Sequence, residues 1–344
     1  MTKKKTLLSI LAILAIVSSI LIYNFYNKIY ASNVKEDTII YISSNADFNK
    51  LVEQISPSLT NKNSFIWVAE QKNYPKTIKA GKYYLKKGIN NNDLINLLRS
   101  GNQTALKLSF NNQETLEKLA GRIAEQIEPD SISLLKAFKD SKFLSNNNFT
   151  KQTALGMYIP NSYEVYWNTS ATRFRDKMLK EYIHFWNPKR KEKAKKQKLS
   201  INQVIILASI VQKETASIDE RSKVAGLYLN RLNDGWPLQA DPTVIFSIKE
   251  KLGQNTIIKR VLLKDLKINS KYNTYKYAGL PPGPISMPDI SSINAVLNPE
   301  IHNYYYMCAD IKQLNRHAFA KTLSQHNRNA VKYQNWLNKQ GINR

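Results

Sequence analysis

The chain has 344 residues, enough for two compact domains and a membrane segment, and its 51 Lys and Arg against 26 Asp and Glu give a net charge of +25. A single cysteine, Cys308, excludes an intramolecular disulfide framework and a cysteine-built metal centre; four scattered histidines without HExxH-type spacing argue against a metal enzyme. Basicity of this size points to a polyanionic partner: nucleic acid, anionic lipid or an acidic wall polymer.

The N-terminus narrows that choice. Residues 1–5 hold Lys3, Lys4 and Lys5, and residues 6–27 carry no charge. As a helix those 22 residues reach about 33 Å, enough for a hydrocarbon core of about 30 Å. A cleaved signal peptide is the competing reading. Its apolar stretch would usually be shorter, and no small-x-small cleavage site follows the run directly. The reading adopted is a retained single-pass anchor in the cytoplasmic membrane. By the positive-inside rule its tail is cytoplasmic and the rest lies outside. Nucleic acid is then the weakest of the three partners, and no nucleic-acid recognition motif supports it.

Residues 28–37 read as a polar linker and residues 38–110 as a small α+β module. Within it, Thr38–Ser43 has strand character, Asp47–Ile55 reads as a helix and Ser64–Val68 as a second strand. Lys82–Leu85 is strand-like before a Gly88 turn, and a helix over Asp93–Arg99 stops at Gly101. No acid or nucleophile falls in a recognisable constellation there, so a binding or spacer role is the default. Residues 111–149 read as connecting helices. Leu116, Leu119, Ala120, Ile123, Ala124 and Ile127 follow an amphipathic template ended by Pro129 and Asp130, and Ser131–Lys139 forms the next helix. The second, larger α+β domain spans 150–344. Its densest charge run, Lys189–Lys198 with seven basic residues in ten, reads as a solvated helix or loop.

The most telling stretch is Ile205–Thr215, IILASIVQKET, a nearly all-apolar helix ending in a carboxylate. Counting back three, four and seven residues from Glu214 reaches Val211, Ile210 and Leu207, all on one face. Desolvation on such a face raises a carboxyl pKa toward neutrality, as a proton donor requires. A helix glutamate paired with a nearby Lys or Arg has the same pattern, and spacing alone leaves both open. Ser200–Gln203 fits a capping box that starts this helix. Ser217–Glu220 fits another, starting a helix over Ile218–Leu232.

On these residues the chain resembles the YceG-like family of endolytic murein transglycosylases. The matching motifs are LASIVQKET (Leu207–Thr215), VAGLYLNRL (Val224–Leu232), LQADPTVIF (Leu238–Phe246), YNTY (Tyr272–Tyr275), GLPPGPI (Gly279–Ile285), and His317 and His326 flanking AKTLSQ. AGKYYL (Ala80–Leu85) is a weaker match. The resemblance implies an anchor, a LysM-like module and a catalytic domain whose catalytic residue is Glu214. Many relatives carry Glu-Lys-Glu where this chain has Gln212-Lys213-Glu214, so Glu214 is the motif's one carboxylate. Pro160-Asn161-Ser162-Tyr163 likewise lacks the carboxylate of the usual Pro-Asp-Thr-Tyr. Ala240 stands where relatives have a threonine.

The resemblance implies cleavage of the MurNAc–GlcNAc bond of nascent peptidoglycan without water, giving 1,6-anhydroMurNAc ends and ending glycan elongation. Expected partners are peptidoglycan strands, the lipid bilayer and cell-wall synthesis proteins, with no nucleic acid, no metal and no cofactor. Gln239, Asp241, Thr243, Tyr272, Asn273, Thr274 and His317 are candidate substrate-binding residues. Gln239 and Asn273 suit sugar amides or loop ties equally, Asp241 a helix cap, Tyr272 packing and His317 a structural role. A membrane-anchored wall-binding protein without catalysis is the alternative.

Overall fold

The computed structural model describes residues 2–258, 260–313 and 315–339. Met1 of the predicted cytoplasmic tail and residues 340–344 of the predicted catalytic domain lie outside them. The architecture is mixed α+β with a long N-terminal apolar helix. The chain divides into two compact units. One holds residues up to 108 with 126–129 and 163–170; the other holds 109–125, 130–162 and 171 onward.

The first unit opens with α1 (Thr2–Tyr30), whose apolar side chains from Leu7 to Tyr26 are exposed all round. Such a surface suits lipid, not water. Next come β1 (Thr38–Ile42), α2 (Phe48–Ile55), α3 (Lys62–Gln71), β2 (Gly81–Leu85) and α4 (Asn91–Ser100). β1 and β2 pair antiparallel, Ile40 opposite Tyr83 and Ile42 opposite Gly81. The inward residues Ile40, Ile42, Tyr83 and Leu85 close over Leu51, Ile55, Phe65, Val68, Leu94 and Leu98. Gly101, at φ 72°, ends α4 as expected, a left-handed conformation that glycine adopts freely.

Two expectations need correction here. Ser64–Val68 is helix, within α3. Asn61 accepts a hydrogen bond from the Ser64 N–H (2.9 Å), and Phe65, Val68 and Ala69 share one buried face. β-Branched and aromatic content suggested a strand, but the capping residue and the i, i+3, i+4 spacing govern. Residues 28–37 are not a linker either. Lys28 to Tyr30 belong to α1, and Val34 is buried and bridged to Leu59. The Asn33 amide donates to Asn91 Oδ1 (2.6 Å) and to the Asn61 carbonyl (3.0 Å). Asn33, one of the polar residues that made the stretch look like a linker, is an internal hydrogen-bonding group.

The second unit contains α5 (Leu116–Ala124), α6 (Ser131–Phe138), α7 (Ser141–Asn146), α8 (Ala171–Phe185) and α9 (Pro188–Lys196). The chain changes unit within each of the short strands β3 (Leu106–Phe110) and β4 (Asn161–Val165). Most of 111–149 therefore packs inside the second unit, where the sequence suggested a connector. α5 stops at Ala124, short of Ile127. Beyond it, within the first unit, the Glu128 carboxylate accepts from the Ser43 hydroxyl (2.7 Å) and from the Ser44 N–H and hydroxyl (both 2.6 Å). α9 is the solvated basic helix expected, with Ala194 its buried residue.

At the centre of this unit is α10 (Ile201–Glu214), buried continuously from Val204 to Val211. Packed against it are α11 (Arg221–Asn233), α12 (Asp241–Leu252) and α13 (Ile290–Leu297). A hairpin of β5 (Tyr306–Ala309) and β6 (His317–Ala320) carries α14 (Leu323–Lys339) on its surface.

Candidate active site

α10 begins at the capping box read from the sequence: the Gln203 N–H donates to Ser200 Oγ (3.3 Å) and the Ser200 N–H to Gln203 Oε1 (2.8 Å). It ends where Thr215 turns extended, leaving Glu214 as its last residue. Gln212 Oε1 points elsewhere, accepting from the Asp289 N–H (2.5 Å) and the Ser292 hydroxyl (3.2 Å) at the start of α13. Position 212 thus anchors a neighbouring helix, and position 214 is the one presented at the helix end.

Glu214 is half-buried. Its Oε2 is sealed from solvent without a hydrogen-bond partner, an arrangement that disfavours the charged form. Burial is the largest influence on its pKa. The nearby His317, the Tyr228 hydroxyl and Arg231 oppose it, while Asp241 reinforces it. The outcome is a carboxyl raised from 4.5 to about 7. A group so poised can both donate and retake a proton near neutral pH.

The corner after α10 departs from the expected second capping box. Ile218–Glu220 forms a 3₁₀ turn, and α11 begins at Arg221. The Ser217 hydroxyl donates to the Asn315 carbonyl (3.2 Å) in place of capping. Glu220 is occupied otherwise. Its carboxylate accepts from the Thr215 hydroxyl (2.8 Å), the His317 N–H (2.7 Å) and His317 Nδ1 (2.9 Å). Burial would lower the His317 pKa, but the Glu220 hydrogen bond and charge, with Glu214 behind, leave it raised. Burial would raise Glu220; its hydrogen bonds from His317 and Thr215 hold it low. The pair sets an imidazole–carboxylate contact close enough to Glu214 for His317 to act on its charge.

α11 supplies Tyr228 and, one turn on, Arg231. The Arg231 guanidinium is clamped by backbone carbonyls, Nε to Tyr305 O (2.7 Å) and Nη1 to Leu238 O (2.5 Å). Gly226 lets this helix approach the following chain closely, since a Cβ there would collide with the Glu300 carbonyl.

Of the other sequence-predicted residues, Gln239 and Asp241 are exposed, and Asp241 lies near enough to Glu214 to act on its charge. Gln239 sits at φ 49°, a left-handed conformation costly for a side-chain-bearing residue, with its N–H held by the Thr274 carbonyl (3.1 Å). Asp241 does not cap α12; Oδ1 accepts from the Tyr275 hydroxyl (2.6 Å). Thr243, Asn273 and Thr274 are fully buried. Thr243 and Thr274 share a hydroxyl contact (2.9 Å), and Thr274 Oγ1 accepts from the Ala240 N–H (3.0 Å). Asn273 donates to the Leu266 and Ile268 carbonyls (both 2.9 Å) and accepts from the Tyr275 N–H (3.0 Å). Tyr272 is buried against Phe246, ring centroids 4.5 Å apart. These four build the wall behind Gln239 and Asp241.

Sequence reading missed Tyr228, Arg231, Tyr275 and Glu220. A signal existed for two of them: Tyr228 and Arg231 are three residues apart in VAGLYLNRL and must share a face.

A partly buried carboxyl with its pKa raised toward neutrality, set among Tyr228, Arg231, Asp241 and His317 in a mixed α+β domain, makes this the candidate acid–base site. A family model described as the YceG-like family matches residues 40–332, and the chain belongs to that family. It is 30% identical over 336 residues to an endolytic murein transglycosylase of Bacillus subtilis strain 168, covering 90% of this chain and 89% of that protein. A Streptococcus pneumoniae serotype 2 protein of the same name is 28% identical over 298 residues. The match takes in 79% of this chain and only 53% of the pneumococcal one. The fold resembles a 2.6 Å crystal structure of a yceG-like protein from Listeria monocytogenes, with TM-score 0.57 and 28% identity, over 85% of this chain and 98% of that one.

Proposed function

We propose that the chain is a membrane-anchored endolytic transglycosylase of peptidoglycan, with Glu214 as its single acid and base. The observation that carries this reading is a carboxyl poised near pH 7 at the end of a buried helix, in a family whose curated relatives bear that activity in their names.

Protonated Glu214 donates to the oxygen joining MurNAc C1 to the next GlcNAc, and that C–O bond breaks. Positive charge develops on the MurNAc ring. The sugar's own C6 hydroxyl closes on C1 and returns its proton to Glu214, leaving a 1,6-anhydro end. No water enters, so the second carboxylate of hydrolytic glycosidases is not required. Intramolecular attack replaces it. The exposed Gln239 amide and Asp241 carboxylate contact the sugars. Thr243, Tyr272, Asn273 and Thr274 hold that wall, and Glu220 with His317 fixes the charge beside the acid. No step draws on a cofactor or metal.

α1 spans the cytoplasmic membrane with its N-terminus inside, so both compact units work outside on nascent strands, beside the wall-synthesis proteins. The first unit is LysM-like, a reading supported by its β1–α2–α3–β2 order with antiparallel strands. It binds wall glycan.

The test is to incubate the full chain in detergent micelles with peptidoglycan and examine products by mass spectrometry. Anhydro ends that form with the wild type and disappear in Glu214→Gln support the proposal. Binding to sacculi without anhydro ends would instead mark a non-catalytic wall-binding protein.

A further inference from the structure

Next to the acid, the second unit holds a pocket of about 180 Å³ that the reaction just described leaves unused. Its apolar lining is Pro242, Ile245, Phe246 and Ile285, and its polar lining is Lys213, Lys249, Gln254 and Glu114. Both lysines belong to elements that build the acid site. Lys213 precedes Glu214 at the end of α10, and Pro242 follows Asp241 at the start of α12.

Charge along this lining is unbalanced. Glu114 meets three ammonium groups: Lys118 at 2.9 Å, Lys213 at 3.0 Å and Lys249 at 3.5 Å. The Lys118 hydrogen bond, with Lys213 and Lys249 adding to it, pushes the Glu114 carboxyl down to about 2. One fixed negative charge therefore serves three positive ones. Lys213 and Lys249 are held only partly exposed by it, in the same pocket as the apolar lining. A bare inorganic anion would use the lysines and waste the apolar lining; a neutral apolar group would do the reverse. A short acidic peptide, with a small apolar side chain followed by a carboxylate, uses both.

We infer that this pocket receives the first residues of the peptide stem carried by the muramic acid at the cleavage point, with Lys213 and Lys249 reading a stem carboxylate and Phe246 and Ile245 packing its alanine methyl. The inference rests on the transglycosylase reading for its substrate. It adds a specificity determinant, so that strands bearing acidic stems are bound in preference to bare glycan.

Two measurements on the full chain in detergent micelles test it. In the first, calorimetry compares N-acetylmuramyl-L-Ala-D-Glu, its neutral diamide and inorganic phosphate. The acid form should bind about tenfold tighter than the diamide, the scale of one charge-assisted contact. Lys213→Gln with Lys249→Gln should erase that preference, and Lys213→Arg with Lys249→Arg should restore it, which also controls for folding. Equal binding of acid and diamide, an unchanged preference in the Gln variant, or phosphate bound as tightly as the acid would each overturn the assignment. In the second, the ratio of kcat/KM on stem-bearing over amidase-stripped strands should fall toward one in the Gln variant. A wild type that cleaves neither strand defeats the transglycosylase reading, while the calorimetry still decides the pocket.

Discussion

At the scale of single residues, the proposed chemistry depends on how two carboxyls a few positions apart are treated. Glu214 is left with one sealed oxygen, Oε2, that has no hydrogen-bond partner, while Glu220 receives three hydrogen bonds. Their pKa values move in opposite directions, the separation that sets acid apart from anion. The proposed mechanism needs protonated Glu214, so kcat/KM should fall as pH rises through about 7; a pH–rate profile flat across pH 6–9 would contradict the role. The sign for stability follows from linkage. Glu214 keeps its proton in the folded chain up to about pH 7 but loses it near 4.5 when unfolded. Folding therefore favours low pH, and stability declines between those values. Glu214→Gln should remove a penalty of about 3 kcal/mol above pH 7 and nothing below 4.5. Melting temperatures of both proteins at pH 5 and pH 8 check this.

The Glu220–His317 pair works with the opposite signs. His317 is raised, so its contribution is complete below 6.5 and lost as pH climbs through its folded value; Glu220 is lowered, so its contribution is complete above 4.5 and lost on acidification. Glu220→Gln should cost about 3 kcal/mol in the window between, and less at pH 9. Its distinguishing readout is His317, whose pKa by NMR should drop once the carboxylate is gone. An unchanged His317 titration would remove Glu220 from the site.

At the scale of elements, α10 was fully legible: its capping box, apolar length and terminal carboxylate are all sequential. Helix α3 and the first residues after the anchor were not. There the deciding groups are asparagines, Asn33, Asn61 and Asn91, whose partners lie up to 63 residues away. Polarity at those positions says nothing about burial until the partner is known. The same holds for Glu220, which fits a capping box on paper but meets His317 across 97 residues. Thr243, Asn273 and Thr274 show the converse: residue types suited to sugars that serve to tie a loop. The placement of α11 gives a prediction at this scale. Gly226→Ala would push α11 off the Glu300 carbonyl, at a cost of about 1–3 kcal/mol. Because Tyr228 and Arg231 travel with that helix, kcat should fall even below the melting temperature. Full activity in a stable Gly226→Ala variant would show that the helix position is not critical.

At the scale of the whole molecule, charge and anchor act together. Lys189, Lys191 and Lys195 on α9 are exposed and offer a polyanion a surface apart from the acid site. Neutralising the three should weaken binding to sacculi, most at low salt, and leave turnover of short soluble glycans nearly unchanged. A large loss on those short substrates would move the helix into the active site.

The anchor sets where that surface operates. α1 does not trail off into a flexible tether: Phe25 packs edge-on against Trp67 at 5.2 Å, the Lys28 ammonium lies 5.4 Å over the same indole, and the Asn91 amide donates to the Lys28 carbonyl (2.8 Å). With α1 in the bilayer as proposed, these contacts hold the first unit close to the membrane surface. A protein attached by charge alone leaves the membrane when salt screens it, whereas a spanning apolar helix stays. The full chain should thus remain in the membrane fraction through 1 M salt (Debye length about 3 Å) and alkaline carbonate, and deletion of residues 1–27 should release it. Carbonate extraction of the intact chain would rule out a spanning α1 and, with it, the placement of the site at the outer face.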